Sequence, residues 1–236
     1  MAAATVDLER LAKVPVATLT QVMQGMGRPR AFMEGIVPLD ADAKIAGRAR
    51  TLRFLPARVP AEEAARPLPG IPQRRVIESI AKDEVLVIDA GGETSGGLIG
   101  DILSTRVQHR GGVGVIIDGA VRDTTQIREV GLPIWMRGVH GGTGYRALFD
   151  ADFDNPIRCG DVTVVPGDYI VADGDGGIVI PPDVIVEVVA AAIEIEHKEV
   201  FTREKVHEGH PTTTAYPPSG ELLVEYNEWR KTHPLK

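Results

Sequence analysis

The chain is poor in the features that mark several large functional classes. It has one cysteine in 236 residues, Cys159, so no internal disulfide is possible, and RCGDVTV offers no second thiol to share a zinc ion. The local signatures of thiol nucleophiles are missing too, which leaves Cys159 as a buried or half-buried bystander. Bases are outnumbered, with 26 Lys and Arg against 33 Asp and Glu for a formal charge of −7. That balance argues against gripping nucleic acid through its phosphates, which needs a concentrated basic surface. No stretch approaches the ~18 continuous apolar residues of a membrane span, and the opening MAAATVDLERLAKV has no basic segment followed by an apolar one. A cytoplasmic protein with no nucleic-acid or membrane partner is expected.

Three familiar motifs are also absent. The glycines at 91, 92, 96, 97 and 100 do not follow the dinucleotide fingerprint, and no Gly-Lys-Ser/Thr follows them as in a phosphate loop. The run DGDGG from Asp173 to Gly177 resembles the start of a calcium loop, but its twelfth position is Val184 rather than glutamate, so a hairpin turn is expected. His197, His207 and His210 lack the five-residue spacing of a helical zinc site and receive no metal.

What is present is an ordinary globular composition, 43% apolar and 25% charged. The length suits one large domain or one domain with appendages. Residues 1–182 read as a single α/β catalytic domain with N-terminal helices, and 183–236 as a C-terminal helix and tail packing on a neighbouring subunit. Thr5 to Met26 has helical spacing interrupted by Pro15, which predicts two short helices. A strand begins at Ile45. Five prolines between Pro56 and Pro72 mark a loop or ordered excursion. From RVIESIA to LPIWMRG, apolar strands alternate with short helical segments, as in layered α/β folds. Beyond Asp150 the turns predict a hairpin meander, and Asp183 to Lys205 a long helix with acids early and bases late.

Two glycine-rich turns carry the candidate chemistry. GVIIDGAVRD, Gly114 to Asp123, runs from a buried strand into a turn holding Arg122 beside Asp123, and GGLIGD ends upstream at Asp101. Two carboxylates on adjacent turns suit a hard cation that keeps several waters. Each acid has a plainer reading as an N-terminal cap, since ILSTRV follows Asp101 and TTQIREV follows Asp123. Arg122, at a strand end, has planar donors that suit a carboxylate or enolate oxygen, or a structural salt bridge. The glycines let backbone approach a ligand, and free amides at the next helix favour anions. Lys82 sits in a polar turn and makes no case for a Schiff base.

Taken together, GGLIGD, the helix after it and GVIIDGAVRD resemble the regulator of ribonuclease activity A family and its enzymatic members, the 4-hydroxy-4-methyl-2-oxoglutarate aldolases. The resemblance runs from the N-terminal helices through VADGDGGIVIPP. The proline-rich insert and the long C-terminal tail depart from it. It implies an α/β/α sandwich of the swivelling, phosphohistidine-domain-like type with a C-terminal helical extension, assembled as a homotrimer or homohexamer with sites between subunits. It also implies that Asp123 ligates magnesium or manganese, that Asp101 holds a metal-bound water, and that Arg122 contacts the keto oxygen. The backbone from Gly97 through Leu98, Ile99, Gly100, Asp101 and Ile102 to Leu103 would hold the carboxylate of a 2-oxo acid, and Glu34 and Glu199 would enter from an adjacent subunit. The activity implied is metal-dependent pyruvate aldol cleavage with oxaloacetate decarboxylation beside it. The rivals are a non-catalytic regulator that binds ribonuclease E, and another metal-enolate lyase or hydrolase acting on a sugar-derived 2-oxo acid.

Overall fold

The structure is a computed structural model that describes residues 6–57 and 71–233. The loop or excursion expected after Pro56 therefore lies, from 58 to 70, outside the described residues. Two short helices open the chain, α1 (Leu8–Leu11) and α2 (Val16–Gly25). Asp7 caps α1 by accepting the Glu9 and Arg10 amides on Oδ1. Pro15 holds the N-cap position of α2 and has no side chain to cap with, so the Val16 amide is met from far along the chain by Asp173 Oδ2 at 2.9 Å.

A two-residue strand β1 (Val37–Pro38) leads to the twelve-residue β2 (Ile45–Pro56), helix α3 (Pro72–Ser79) and β3 (Glu84–Asp89). Then come β4 (Gly97–Ile99), α4 (Asp101–Arg110), β5 (Gly114–Val121), α5 (Thr124–Val130) and β6 (Ile134–Val139). Strands β2, β3, β5 and β6 form a parallel centre, which requires helical crossovers, and β4 lies parallel against the far end of β5. Each of α4 and α5 stops at a left-handed glycine, Gly111 and Gly131.

The expected meander follows as β7 (Leu148–Phe153), β8 (Ile157–Cys159), β9 (Val162–Val164), β10 (Tyr169–Asp173) and β11 (Gly176–Ile180). DGDGG is the tight turn between β10 and β11, closed by Asp173 opposite Gly176. Strand β10 adds antiparallel to β2, giving the order β1-β6-β5-β3-β2-β10-β11 with β4 on β5 and β7 on β2. The two ends of this nine-stranded sheet nearly meet. Met33 N–H donates to Gly177 O and Val179 N–H to Ala31 O, while Val37 and Pro38, a few residues on, pair with Met136 and Trp135 of β6. One segment thus bridges both edges and curls the sheet into a nearly closed barrel. The mixed α/β architecture is as expected, but its sheet is not a flat middle layer.

The barrel interior is apolar. Val85, Val87, Ile116, Trp135, Ile170 and Ala172 fill it, and the β8–β9 hairpin supplies Ile157, Cys159, Val162 and Val164. Cys159 is fully buried, and that burial pushes its thiol well above the usual range, which matches the inert role read for it. Outside the barrel, α3, α4 and α5 cover one side through Val76, Ile77, Val107 and Ile127. Helices α1, α2 and the 23-residue α6 (Ile185–His207) cover another through Leu11, Leu19, Ile185 and Val188. The tail forms α7 (Thr212–Ala215) and α8 (Glu221–Thr232), and α8 folds back on α6 of its own chain, where Tyr226 and Trp229 lie 5.5 and 5.6 Å from the Phe201 ring.

Because Asp173 caps α2 from β10 and also accepts the Asp175 amide of the hairpin turn, its carboxylate joins two elements. Asp173→Ala is expected to lower unfolding free energy by about 1–2 kcal/mol, the usual loss for an N-cap. Urea unfolding should show a lower midpoint with an unchanged slope.

Candidate active site

The two glycine-rich turns meet at the C-terminal end of β5. Arg122 N–H donates to Ile99 O at 3.0 Å, continuing the β4–β5 ladder past the last strand residue. The approach is closer than side chains would permit. A Cβ on Gly100 would lie 2.3 Å from Asp123 Oδ2, and one on Gly97 would lie 2.7 Å from Arg122 Cβ. The Asp123 carboxylate therefore rests in a hollow that exists because position 100 has no side chain, and Asp101 is the next residue.

Neither acid is a helix cap. Gly100 holds the N-cap position of α4, which makes Asp101 the first helical residue, and among the described residues its carboxylate makes no hydrogen bond or ion pair. Asp123 does stand at the N-cap of α5, but its backbone is left-handed, φ 57° and ψ 38°, and its side chain makes no cap hydrogen bond. Capping needs an extended residue whose oxygen turns back to the following amides. The left-handed conformation sends the carboxylate instead to Arg122 Nε at 3.1 Å. Left-handed aspartates also occur in turns at Asp83, Asp154 and Asp161, so that conformation alone does not mark the site.

The Arg122 and Asp123 side chains are 44% and 36% exposed. A pair so open to water contributes about 0–1 kcal/mol. Both groups can therefore exchange this contact for a ligand at little loss. The first-turn amides of α4, Asp101 to Leu103, have no carbonyl four residues back within the helix, and they point where the helix dipole favours an anion. The site thus combines two carboxylates, a guanidinium and a set of amide donors.

Its donor set fits a small hard cation. Asp123 would ligate directly and Asp101 through water, with all-oxygen donors of the type magnesium and manganese take. Among the described residues no three His, Cys, Asp or Glu side chains converge to enclose an ion, so one held here would keep several open positions.

The other residues singled out from sequence fall in different places. The Gly97 amide is not available to a ligand, because it donates to Gly142 O at 2.8 Å, and the contribution of Gly97 is close approach. Leu98 and Ile99 are buried in β4, which is a strand rather than the loop expected of GGLIG. The Ile102 and Leu103 side chains face a cleft of about 370 Å³ between α3 and α4, lined also by Arg74, Glu78, Arg106 and His109, so only the amides of these two residues could serve a ligand beside Asp123. Glu34 is exposed on the segment that bridges the barrel edges. Its amide donates to Gly160 O, and the Gly160 amide donates to buried Asp118, which is paired with Arg137. Glu199 lies on α6 and pairs with Arg203 at 3.3 Å. Neither glutamate contacts Asp101, Arg122 or Asp123 within the chain.

One neighbour of the site escaped sequence reasoning. The His140 amide donates to Val121 O at 2.9 Å, which places His140 beside Arg122 on the opposite side from Gly100. Its Nδ1 accepts the Gly142 amide at 2.9 Å, so in the neutral ring the proton is on Nε2, for which the described residues hold no partner. The available signal was a histidine directly after an apolar strand and before a glycine pair, VHGG.

A family model described as RraA-like, Aldolase/RraA, matches residues 16–180. The chain belongs to that family. Among its relatives is protein DlpA of Legionella pneumophila, 29% identical over 202 residues that cover 86% of this chain and 32% of DlpA, so the chain spans about a third of that relative. A 4-hydroxy-4-methyl-2-oxoglutarate aldolase of Thermus thermophilus is 33% identical over 141 residues, 59% of this chain and 77% of the relative. Among solved RraA-like structures, Streptomyces coelicolor RraAS2, described as an unusual member of the RNase ES inhibitor RraA protein family, superposes with a TM-score of 0.75 at 34% identity over 83% of this chain and 94% of its own. The family therefore contains proteins named for an aldolase and proteins named for inhibiting a ribonuclease. No helix among the described residues is long and apolar enough to cross a membrane.

The hollow at Gly100 yields a direct test. Its φ of −131° is open to alanine, so Gly100→Ala meets no backbone strain, only the Asp123 oxygen. The variant is expected to fold, with an overpacking loss of about 1–3 kcal/mol, and to bind Mn²⁺ at least tenfold more weakly in calorimetry. Unchanged affinity would separate Asp123 from the ion.

Proposed function

We propose that this protein is a divalent-metal-dependent pyruvate aldolase that cleaves a 4-hydroxy-2-oxo acid, with 4-hydroxy-4-methyl-2-oxoglutarate as the reference substrate and oxaloacetate decarboxylation as a side activity. The observation that carries this reading is the Asp123 carboxylate held over Gly100, between Arg122 and the open first turn of α4. Magnesium or manganese at Asp123 would supply Lewis-acid polarisation of the 2-oxo group.

Each protein group then has a defined task. The amides of Asp101 to Leu103 receive the carboxylate next to the keto group, and this fixes the substrate's register. Arg122 aims its donors at the keto oxygen, where negative charge gathers as the bond between C3 and C4 breaks. The C4 hydroxyl proton leaves to a base, C4 becomes the carbonyl of one product, and the electron pair left on C3 takes a proton to give pyruvate. Asp101, with its carboxylate unengaged, is suited to hold the water that accepts the hydroxyl proton. In oxaloacetate, loss of carbon dioxide leaves the same electron pair on C3 and needs no hydroxyl base.

Glu34 and Glu199 would complete the site from a neighbouring subunit of a homotrimer or homohexamer. Their positions away from the Asp101 and Asp123 turns within one chain are compatible with that arrangement.

The test is pyruvate release from 4-hydroxy-4-methyl-2-oxoglutarate and from oxaloacetate, each with Mg²⁺ or Mn²⁺ and with excess chelator. Release that chelator abolishes is expected. Asp123→Ala should remove turnover with both substrates, and Arg122→Ala should lower kcat by about 10²–10³, the usual effect of deleting one donor to a developing oxyanion. Metal-loaded, folded protein that releases pyruvate from neither would shift the assignment to a sugar-derived 2-oxo acid or to the ribonuclease-binding role.

A further inference from the structure

Strand β4 has a second edge, turned away from β5, and a buried polar network occupies it. Leu98 O accepts a hydrogen bond from Gln73 Nε2 at 2.8 Å. Gln73 Oε1 accepts the Tyr145 hydroxyl at 2.8 Å, and the backbone N–H of Gln73 donates to Asp150 Oδ2, also at 2.8 Å. Gln73 lies in the first turn of α3 and is 1% exposed. Next to this contact, Gly97 N–H reaches Gly142 O, and Gly144 packs where a Cβ would lie 2.4 Å from Leu98 Cδ2. The edge of β4 is thus held at two successive residues, once by backbone and once by the side chain of Gln73.

The direction of the Gln73 amide follows from its partners. Leu98 O can only accept, so the end of the side-chain amide that faces it must be the nitrogen. The oxygen then faces the Tyr145 hydroxyl, which burial keeps protonated and which donates to it. A buried neutral amide is a poor device for stability alone, because its hydrogen bonds yield little beyond replacing those lost to water. What it provides is orientation, a donor and an acceptor fixed in one plane. The carbonyl it fixes is two residues before Gly100, the residue that carries the Asp123 hollow and opens α4.

We propose that Gln73, oriented by Tyr145, is a positioning residue for ligand binding: by holding Leu98 O it sets the first-turn amides of α4, Asp101 to Leu103, where they receive the carboxylate of a 2-oxo acid. This rests on the aldolase reading of the site. Asp123 follows β5 and stands at the N-cap of α5, outside the segment that Gln73 holds, so ligand affinity should fall further than metal affinity.

The experiment is titration calorimetry of the Mn²⁺-loaded protein with oxalate, a stable dicarboxylate of pyruvyl size, beside Mn²⁺ titration of the metal-free protein. Gln73→Leu is expected to bind oxalate roughly tenfold more weakly, the loss of about one buried hydrogen bond, and Mn²⁺ within about twofold of wild type. Gln73→Glu supplies the rescue. Its carboxyl donates to Leu98 O only when protonated, so oxalate affinity relative to wild type should recover as pH falls and decline as it rises. Tyr145→Phe removes one oxygen, leaves the edge packing on Phe54 and keeps the test open if Gln73→Leu does not fold; a severalfold loss is expected. Folded variants that all bind oxalate like wild type would overturn the positioning role. Wild-type protein that binds Mn²⁺ but no oxalate would overturn the aldolase reading and this proposal with it.

Discussion

The separation between β4 and the end of β5 governs the rest of the site. Gly96, Gly97 and Gly100 each stand where a Cβ would come within 2.7 Å of another segment of the chain, against Gly144, Arg122 and Asp123 in turn. Three residues of one short segment therefore meet partners at backbone distance. A side chain at Gly100 would displace the Asp123 carboxylate, and one at Gly96 or Gly97 would meet backbone and push β4 outward. The start of α4 would move with it, because Gly100 is both the last residue of the turn and the N-cap of the helix. The carboxylate of Asp123, the guanidinium of Arg122 and the helix amides share one location because of this spacing.

A spacing set to tenths of an ångström needs a stiff support, and β5 provides one. All eight of its residues are buried, with β3 on one side, β6 on the other and β4 at its end. Below the site, the apolar barrel interior is stopped by buried Asp118, which pairs with Arg137 and holds the hairpin through Gly160. Asp89, next to Asp118 across β3 and β5, has its carboxyl pushed up by burial despite amide donors from Gly91 and Arg158. The charged groups thus collect where the parallel strands end, the end at which open α/β sheets place ligands.

Much of this was legible in the sequence, and what was not has a common cause. The strands β3, β5 and β6, the break at Pro15 and the long α6 follow from local periodicity and from proline and glycine positions. So did the meeting of the two turns that carry Asp101 and Asp123, since glycines after apolar runs mark strand ends. The barrel closure was not legible. It rests on a two-residue strand and on contacts such as Met33 to Gly177, and nothing local to Phe32 or Val37 announces a partner far along the chain. The capping of the two acids was read wrongly for a related reason: the sequence shows that a helix follows, but not that Asp123 is left-handed and turned toward Arg122. His140 and Gln73 stayed hidden because their significance lies entirely in which carbonyl or amide the fold brings to them.

The division of labour between these residues follows from their burial. The groups that would meet a ligand, Arg122 and Asp123, are partly exposed, and their mutual attraction adds at most about 1 kcal/mol to stability. The groups that hold them in place, the glycines in and flanking β4 and the side-chain amide of Gln73, are buried or packed at contact distance. The groups open to a ligand and the groups that set the architecture are therefore different residues. Replacing a charged group here removes a ligand contact and little stability, whereas a side chain in the glycine framework beneath it, at Gly96 or Gly97, meets backbone. The framework is the part that cannot change gradually, because no side chain smaller than methyl exists to try.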